Sequence, residues 1–596
     1  MPAGHPQFSG TLALPTAVFL LLAVLLVPGR AEAITLTADT VWQGEMAVQE
    51  DVLVPDGITL TILPATRITI MAAESTKTDP EYLSHLTEIT VRGKLLIQGT
   101  ENEPAVFSLA GARDADQWAG IIVDHGSAVI RFCTIRDADT ALLVLNGSLD
   151  ISRSLLEKNR YSLVGQGDQA KITLTGCRLQ NNEYGPFTLD NAGIMQQDSI
   201  ISANSKRDSY AAETVDPPLT ASLFHLPEQD ITRVYQDDVL LGTTVWEGRI
   251  VVKGRVRLPT DGRLIITPGT LVEFTRNDTN GDGIGENGLM IQGILIAKGT
   301  GDKPIIFRSG EPRKNRGDWD SINILGSEQT RNLIEFCQIE DAYRGLHFHF
   351  SNVLVSNSIL VHNYRGIQFQ ESLVTVLDTQ MYGNKSGIRA RDSEVVFRGN
   401  HIFNNIDGAN FFRLNLQARD NIFANNASEG VRIREGAVIV ENNIMQGNRF
   451  GLLVNDTTYG KFSGNIMDKN LESGLALRNT DHVEISGNSI RANGINGAII
   501  RDSRAAITGN LIADNGERGL GIISFAGTIS NNNIVNNGLY AIGLDGEGDI
   551  TAAANWWGQS DLDREIYDRS DDPGLGRVFY EPRLREPVPF VRPVLH

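Results

Sequence analysis

From about residue 354 onward, short apolar runs alternate with Asn and Gly on a fixed period. One Asn of each segment falls at 363, 384, 405, 426, 448, 470, 493, 515 and 537, with successive gaps of 21, 21, 21, 22, 22, 23, 22 and 22. A second column stands five residues upstream, at Asn400, Asn421, Asn443, Asn465, Asn488, Asn510 and Asn532. A period near 22 with no heptad signals a solenoid. The frame of a leucine-rich repeat is absent. Instead Gly387-Ile388-Arg389-Ala390-Arg391 and Gly430-Val431-Arg432-Ile433-Arg434 alternate inward and outward residues, which is the period of a strand. Three short strands with tight turns fit into 22 residues, and a helix does not.

The pattern predicts an all-β protein, a parallel β-helix in which each coil lies about 4.8 Å above the last and like residues stack over like. Ile and Val fill a narrow interior. Corner Asn side chains hydrogen-bond to those above and below, as in stacked amide ladders, and the following Asn or Gly accepts the left-handed backbone of a sharp corner. The crossover hand should be right.

The first third is a diverged copy of the middle. Trp42-Gln43-Gly44 matches Trp246-Glu247-Gly248, the stretch Val91 to Phe107 matches Ile291 to Phe307, Trp118 matches Trp319, and Phe132-Cys133 matches Phe336-Cys337. This divides the chain into a leader at 1–33, a first β-helical unit at 34–204, a linker or excursion at 205–240, a second unit at 241–555, and a cap and tail at 556–596. The linker is polar, Pro-containing and aperiodic. The two units could form one rod or two. Asn555-Trp556-Trp557-Gly558 through Tyr580 supplies aromatics to cover an open core, and the Pro-rich tail cannot add a ladder strand.

Leu12 to Val27 is almost wholly apolar, and Ala31-Glu32-Ala33 offers a small-residue cleavage site, so the leader reads as a secretory signal peptide, although no Lys or Arg precedes it. The expected location is secreted, periplasmic or cell-surface, and not integral to a membrane. A net charge of −19 argues against nucleic acid as a partner. Only three cysteines occur, too few and odd for a disulfide framework. Cys177 stands five residues before Asn182, and Cys133 and Cys337 five before Ala138 and Ala342. The thiols are therefore expected to be small buried members of the upstream column.

The paired W-x-G start modules, the G-N-x-I-x-x-N-x-x-G coils and the terminal N-W-W-G resemble the right-handed parallel β-helix repeat proteins of the pectin-lyase-like superfamily. The resemblance covers nearly the whole chain after the leader. It implies fold more than function, because the superfamily includes pectate lyases, polygalacturonases, mannuronan epimerases and phage tailspikes.

Enzymes on this fold place their chemistry on the outer face of one strand column. Here the outward positions after the corner Gly read His347/His349, Gln368/Gln370, Arg389/Arg391, Asn410/Phe412, Arg432/Arg434, Leu453/Asn455, Ala476/Arg478 and Ile499/Arg501. Arg389, Arg391, Arg432 and Arg434, with Phe412, Gln368 and Gln370, form a candidate groove for an anionic glycan. The bland alternative is a solvated face whose arginines pair with acids such as Asp392 and Glu435. Asp278, Asn280 and Asp282, followed by Gly283, fit the first half of a calcium loop. Leu289 stands where an EF-hand has Glu, and the same residues suit a metal-free turn. Gly283 to Gly288 matches a dinucleotide fingerprint only formally, with no βα unit around it. His347 and His349 share a strand face but have no third metal ligand in sight. Asn479-Thr480-Asp481 matches one of four polygalacturonase motifs, and the other three are missing. The absence of Cys, Met and His clusters weighs against a copper-maturation role. The resulting expectation is an exported β-helix that binds carbohydrate, an anionic polysaccharide foremost, or serves a structural surface role without demonstrable catalysis. The alternative is a lyase, epimerase or hydrolase acting on acidic polysaccharide.

Overall fold

The computed structural model describes residues 34–73, 83–111, 117–212, 217, 219–281, 283–559 and 561–593. The leader at 1–33 and Asp282 lie outside the described residues. Every strand pairing among the described residues is parallel, and one helix is present, the single turn Leu562–Glu565. Strands of two to six residues stack coil over coil, as a 22-residue repeat requires.

Residues 34–211 form three parallel sheets of eight, seven and seven strands, ending at Tyr210–Ala211, Gly193–Gln197 and Ile200–Ser202. Strand pairing then stops and restarts at Ile231–Gln236. From there three faces wind upward. Face 1 carries strands such as Arg365–Gln370 and Ser386–Arg391, face 2 Leu373–Leu377 and Glu394–Arg398, and face 3 Gln380–Tyr382 and His401–Phe403. Some strands run straight through the corner between faces 1 and 2. One is Asp407–Arg419, which turns at Arg413 with φ of 49°.

The interior columns are the predicted ones. Ile388, Ala409, Val431, Leu452, Leu475 and Ala498 lie over one another and are buried. Both Asn columns form continuous ladders. Nδ2 of Asn405 donates to Oδ1 of Asn426 at 3.1 Å, and Nδ2 of Asn426 to Oδ1 of Asn448 at 3.0 Å. The upstream column begins with the thiol of Cys337, continues through Ser358 and Thr379, and becomes Asn from 400 to 555. Each backbone N–H donates to the side-chain oxygen above it. A Cys suffices at the bottom, where no ladder N–H below needs its side chain. All three thiols are free and buried, and burial pushes their pKa values up. The duplication shows in the core: Trp118 and Trp319 each donate their indole N–H to a carbonyl one coil above, that of Arg136 at 2.9 Å and that of Glu340 at 2.8 Å. Trp557 closes the upper end together with Leu562, Ile566 and Val578.

The two β-helices do not continue one another; they lie side by side with axes pointing the same way. Contacts climb both together: Asp56 with Arg313, Ile122 and Leu145 with Ile406, Gln166 with Gly447, Arg160 with Glu472, and Tyr184 with Glu517. The linker must therefore return to the starting level. Tyr210 bonds the Ala492 carbonyl, Ser222 bonds Tyr382 and Gln380, Phe224 bonds Gln338, and Gln229 bonds Gly269. This descent covers roughly nine coils, about 45 Å at the strand spacing, which an extended chain of this length can span. On the way Leu219 and Phe224 cover the outward apolar row Tyr382, Phe403, Ile422, Ile444 and Ile466 on face 3. The C-terminal tail covers more of that face, through Val588 to Asn533 and Arg592 to Asp468.

Candidate functional site

The ladder register places the candidate residues as the spacing predicts. One outward column of face 1 reads His349, Gln370, Arg391, Phe412, Arg434, Asn455, Arg478, Arg501, and the column beside it His347, Gln368, Arg389, Asn410, Arg432, Leu453, Ala476, Ile499. Their electrostatics are uneven. Asp392, at the corner, takes hydrogen bonds from Arg413 at 2.5 Å and Arg391 at 2.9 Å, and the bond from Arg413, followed by that from Arg391, holds its pKa below the usual range. Arg432 is paired with Glu429. The Phe412 ring is enclosed by the guanidiniums of Arg434, Arg413 and Arg391, with centroid distances of 4.0, 5.0 and 5.6 Å. Its faces are thus engaged by cations. Higher up, Arg434, Arg478 and Arg501 make no ion pair among the described residues. The first two line a polar hollow of about 490 Å³ together with Asn455, Asp456, Asn479 and Asp502.

At the lower end, Nε2 of His349 lies 2.8 Å from Nε2 of His347. Burial, together with Arg344 and His349, pushes the His347 pKa down to about 3. Gln368 accepts from Arg365. In the 278–286 loop, the Asp278 carboxylate accepts from the backbone N–H groups of Gly281 at 2.8 Å and Gly283 at 3.0 Å, and Arg276 lies 3.6 Å away. Both oxygens are thus taken by donors, beside a cation. No group of three His, Cys, Asp or Glu side chains arranged for a metal occurs among the described residues.

Sequence reasoning missed a second hollow, larger than that on face 1. The lateral packing leaves a cleft of about 830 Å³ with walls from both β-helices. The first contributes Arg92, Asp124, His125 and Asn146; the second contributes Arg276, Arg313, Lys314, Arg316, His362 and Tyr364. Asp124 is buried, which by itself raises a carboxyl pKa. The hydrogen bond from His125 at 2.7 Å and the charge of Arg92 at 2.9 Å outweigh that and hold it well below the usual range. On the opposite wall, Nδ1 of His362 lies 2.8 Å from buried Asp341, whose other oxygen accepts from the Ser309 N–H. In both histidines Nδ1 is committed to a carboxylate, so Nε2 is the nitrogen left for a ligand. A signal for lateral packing was present in Ile121-Ile122-Val123 and Ala141-Leu142-Leu143-Val144-Leu145. These runs lack in-out alternation, as strands buried on both faces do.

A family model described as "Right handed beta helix region" matches residues 313–433 and 414–556. No curated protein is significantly similar to the chain in sequence. Among solved structures, the chain is similar to the periplasmic alginate epimerase AlgG at 14% identity, covering 58% of this chain and 78% of that one, with a TM-score of 0.25. It is also similar to the A-module of the mannuronan C-5 epimerase AlgE4 of Azotobacter vinelandii at 11% identity, covering 89% and 91%, with a TM-score of 0.20. A third similarity is to an alginate lyase of a Paenibacillus species at 12% identity, covering 53% and 92%, with a TM-score of 0.13. No described helix is long and apolar enough to cross a membrane.

Proposed function

Starting from a chain that is a right-handed parallel β-helix repeat protein with the fold of the pectin-lyase-like superfamily, we propose that it is an exported protein that binds anionic polysaccharide along face 1 of its second β-helix. The observation that carries this is the outward column. Parallel pairing puts Arg434, Arg478 and Arg501 on one line, with Asn455 between the first two, at about one strand spacing per coil. These three side chains are exposed and have no ion pair among the described residues; Arg434 rests over the Phe412 ring, and Arg478 and Arg501 are left to solvent or a ligand. A guanidinium presents a planar fork that matches a carboxylate, and a polyuronate carries such groups at regular intervals. Arg391 and Arg432, already paired with acids, border the track and tune it rather than grip. Arg389 extends it downward beside Gln368 and Gln370, whose amides suit hydroxyl groups. No residue of the column is assigned a catalytic step.

The test is binding of the full-length protein to alginate, polygalacturonate and a neutral glucan, before and after Arg434→Ala, Arg478→Ala and Arg501→Ala are combined. The expectation is binding to a polyuronate that weakens with salt and falls at least about tenfold in the triple variant, a loss of about 1.4 kcal/mol. Unchanged binding by the triple variant, or equal binding to the neutral glucan, overturns the proposal. The same incubation reads the enzymatic alternative, because a lyase product absorbs in the ultraviolet.

A further inference from the structure

We propose that the cleft between the two β-helices is a second binding site, for a compact anion: a carboxylate or phosphate group on a small molecule. This site is separate from the face 1 column and does not depend on it. Its volume of about 830 Å³ falls within the range of small-molecule sites, roughly 300–1,000 Å³. Its walls come from both β-helices, so the concavity is a product of their lateral packing.

The lining inverts the charge of the molecule. The chain carries −19 overall, yet among the described lining residues Arg92, Arg276, Arg313, Lys314 and Arg316 face two carboxylates, Asp56 and Asp124. Those two are answered within the site, Asp56 by Arg313 at 2.9 Å and Asp124 by Arg92 and His125. Further acids stand at its edge: Asp278 beside Arg276, Glu311 accepting from the Arg276 N–H, Asp341 beside His362, and Glu340 within the field of Lys314. Lys314, half-buried, has no ion pair among the described residues, and Arg316 is positioned by a bond from Nη2 to the Gly383 carbonyl at 2.8 Å. Among its described lining residues the cleft thus gathers five cationic side chains and two histidines in a partly enclosed space, where field lines are focused and an anion is concentrated.

Of the cleft cations, Arg313 also bridges the two β-helices, to Asp56, but most of the contact between them lies elsewhere. That contact is made higher up by Arg160 and Arg449 with Glu472 and Asp139, and by Tyr161, Tyr184 and Phe187 against Leu471 and Ile495. Like charges gathered in a cleft cost folding free energy unless a counter-charge binds. The remaining lining suits an organic anion: the amides of Asn146 and Asn404 offer donors and acceptors, and Leu53, Tyr364 and Tyr382 supply apolar wall.

The test is isothermal titration of the full-length protein with D-glucuronate and, separately, inorganic phosphate, with D-glucose as neutral control. The expected result is saturable binding of at least one anion and none of glucose. Glucuronate alone identifies a uronate-type carboxylate, phosphate alone a phosphate ester, and both together a general anion site. Lys314→Met and His362→Gln, made separately because either could perturb folding, should each weaken binding at least about tenfold, equal to about 1.4 kcal/mol. Arg504→Ala, on exposed face 2, should leave it unchanged. Lack of binding of both anions at about a thousand times a micromolar affinity, or binding that ignores both cleft substitutions, overturns the proposal.

Discussion

Replacing Asn426 by Ala tests the physical basis of the stack. Asn426 is fully buried and makes four side-chain hydrogen bonds. Its Nδ2 donates to the Ile402 carbonyl at 3.1 Å and to Oδ1 of Asn448 at 3.0 Å, and its Oδ1 accepts from the N–H and the Nδ2 of Asn405, both at 3.1 Å. Two partners survive the change. Asn448 Oδ1 still accepts from the backbone N–H of residue 426 at 2.9 Å, and Asn405 Nδ2 still donates to the Met381 carbonyl at 2.9 Å. Losses at these cost about 1 kcal/mol each. The Asn405 N–H keeps no ladder acceptor in a dry corner, a penalty of about 1–3 kcal/mol. The sum is about 3–5 kcal/mol. A solenoid opens in segments, so the readout is hydrogen exchange of peptides covering residues 400–450, each variant measured against the parent at the same pH. Asn426→Asp sharpens the test. A carboxylate could still accept from Asn405, but it would face the Ile402 carbonyl and Asn448 Oδ1 without a proton to give. Burial raises its folded pKa above the unfolded value, so its relative stability should be higher at pH 4 than at pH 7 and fall as the pH rises. A cost for Asn426→Ala below about 1 kcal/mol, or an Asp variant that ranks the same at both pH values, refutes the ladder as a source of stability.

Two further predictions concern buried charge. Glu472 is buried and takes a bond from Arg160 across the interface and one from Arg449 on its own β-helix. Burial opposes its ionisation, but the two arginines dominate and keep its pKa low. Glu472→Ala should cost about 3–5 kcal/mol, because it leaves two half-buried cations to share one carboxylate, that of Asp139, and should increase exchange in the strands Thr140–Leu145 and Tyr161–Gln166; no added exchange there rejects the clamp. For His347, the folded pKa of about 3 lies below that of an unfolded His, about 6.5, so the unfolded chain binds more protons between these values. Stability should fall as pH drops through that window, by up to about 1.4 kcal/mol per unit from this group. His347→Gln, which copies Gln368 above it, should flatten that part of the profile, as read by urea unfolding at pH 7 and pH 5.

Period and alternation made the second β-helix legible because stacking converts spacing into position. Once Asn405 stands under Asn426, the place of Arg389 beneath Asn410 and of Arg391 beneath Phe412 follows. The cysteines were legible for the same reason, through their offset of five residues from a ladder position. What each arginine touches was not legible. The corner residue after each outward strand decides it, and that residue varies from Asp392 to Arg413 to Glu435, so neighbouring coils differ although their columns match. The enclosure of Phe412 by three guanidiniums depends on Arg413, an Arg at a corner where the coils beside it carry an acid.

The cleft was illegible for a deeper reason. Periodicity reports contacts one coil away, whereas the cleft joins residues far apart in the chain, such as Asp56 with Arg313, 257 positions away. Their meeting depends on the linker. A short linker would have stacked the second β-helix on the end of the first, burying that end as a continuing ladder and leaving the sheet of Ile122, Leu145, Val164 and Phe187 with an apolar outer face in water. A linker long enough to descend about nine coils lets that face pack against Ile406, Leu471 and Ile495 instead. The same packing cannot close everywhere, because the lower coils of the first β-helix offer Arg92, Asp124 and His125 where the upper ones offer Tyr and Phe. The gap opens where the facing side chains turn from apolar to charged, so the residues that prevent dry packing are the ones that line the cleft.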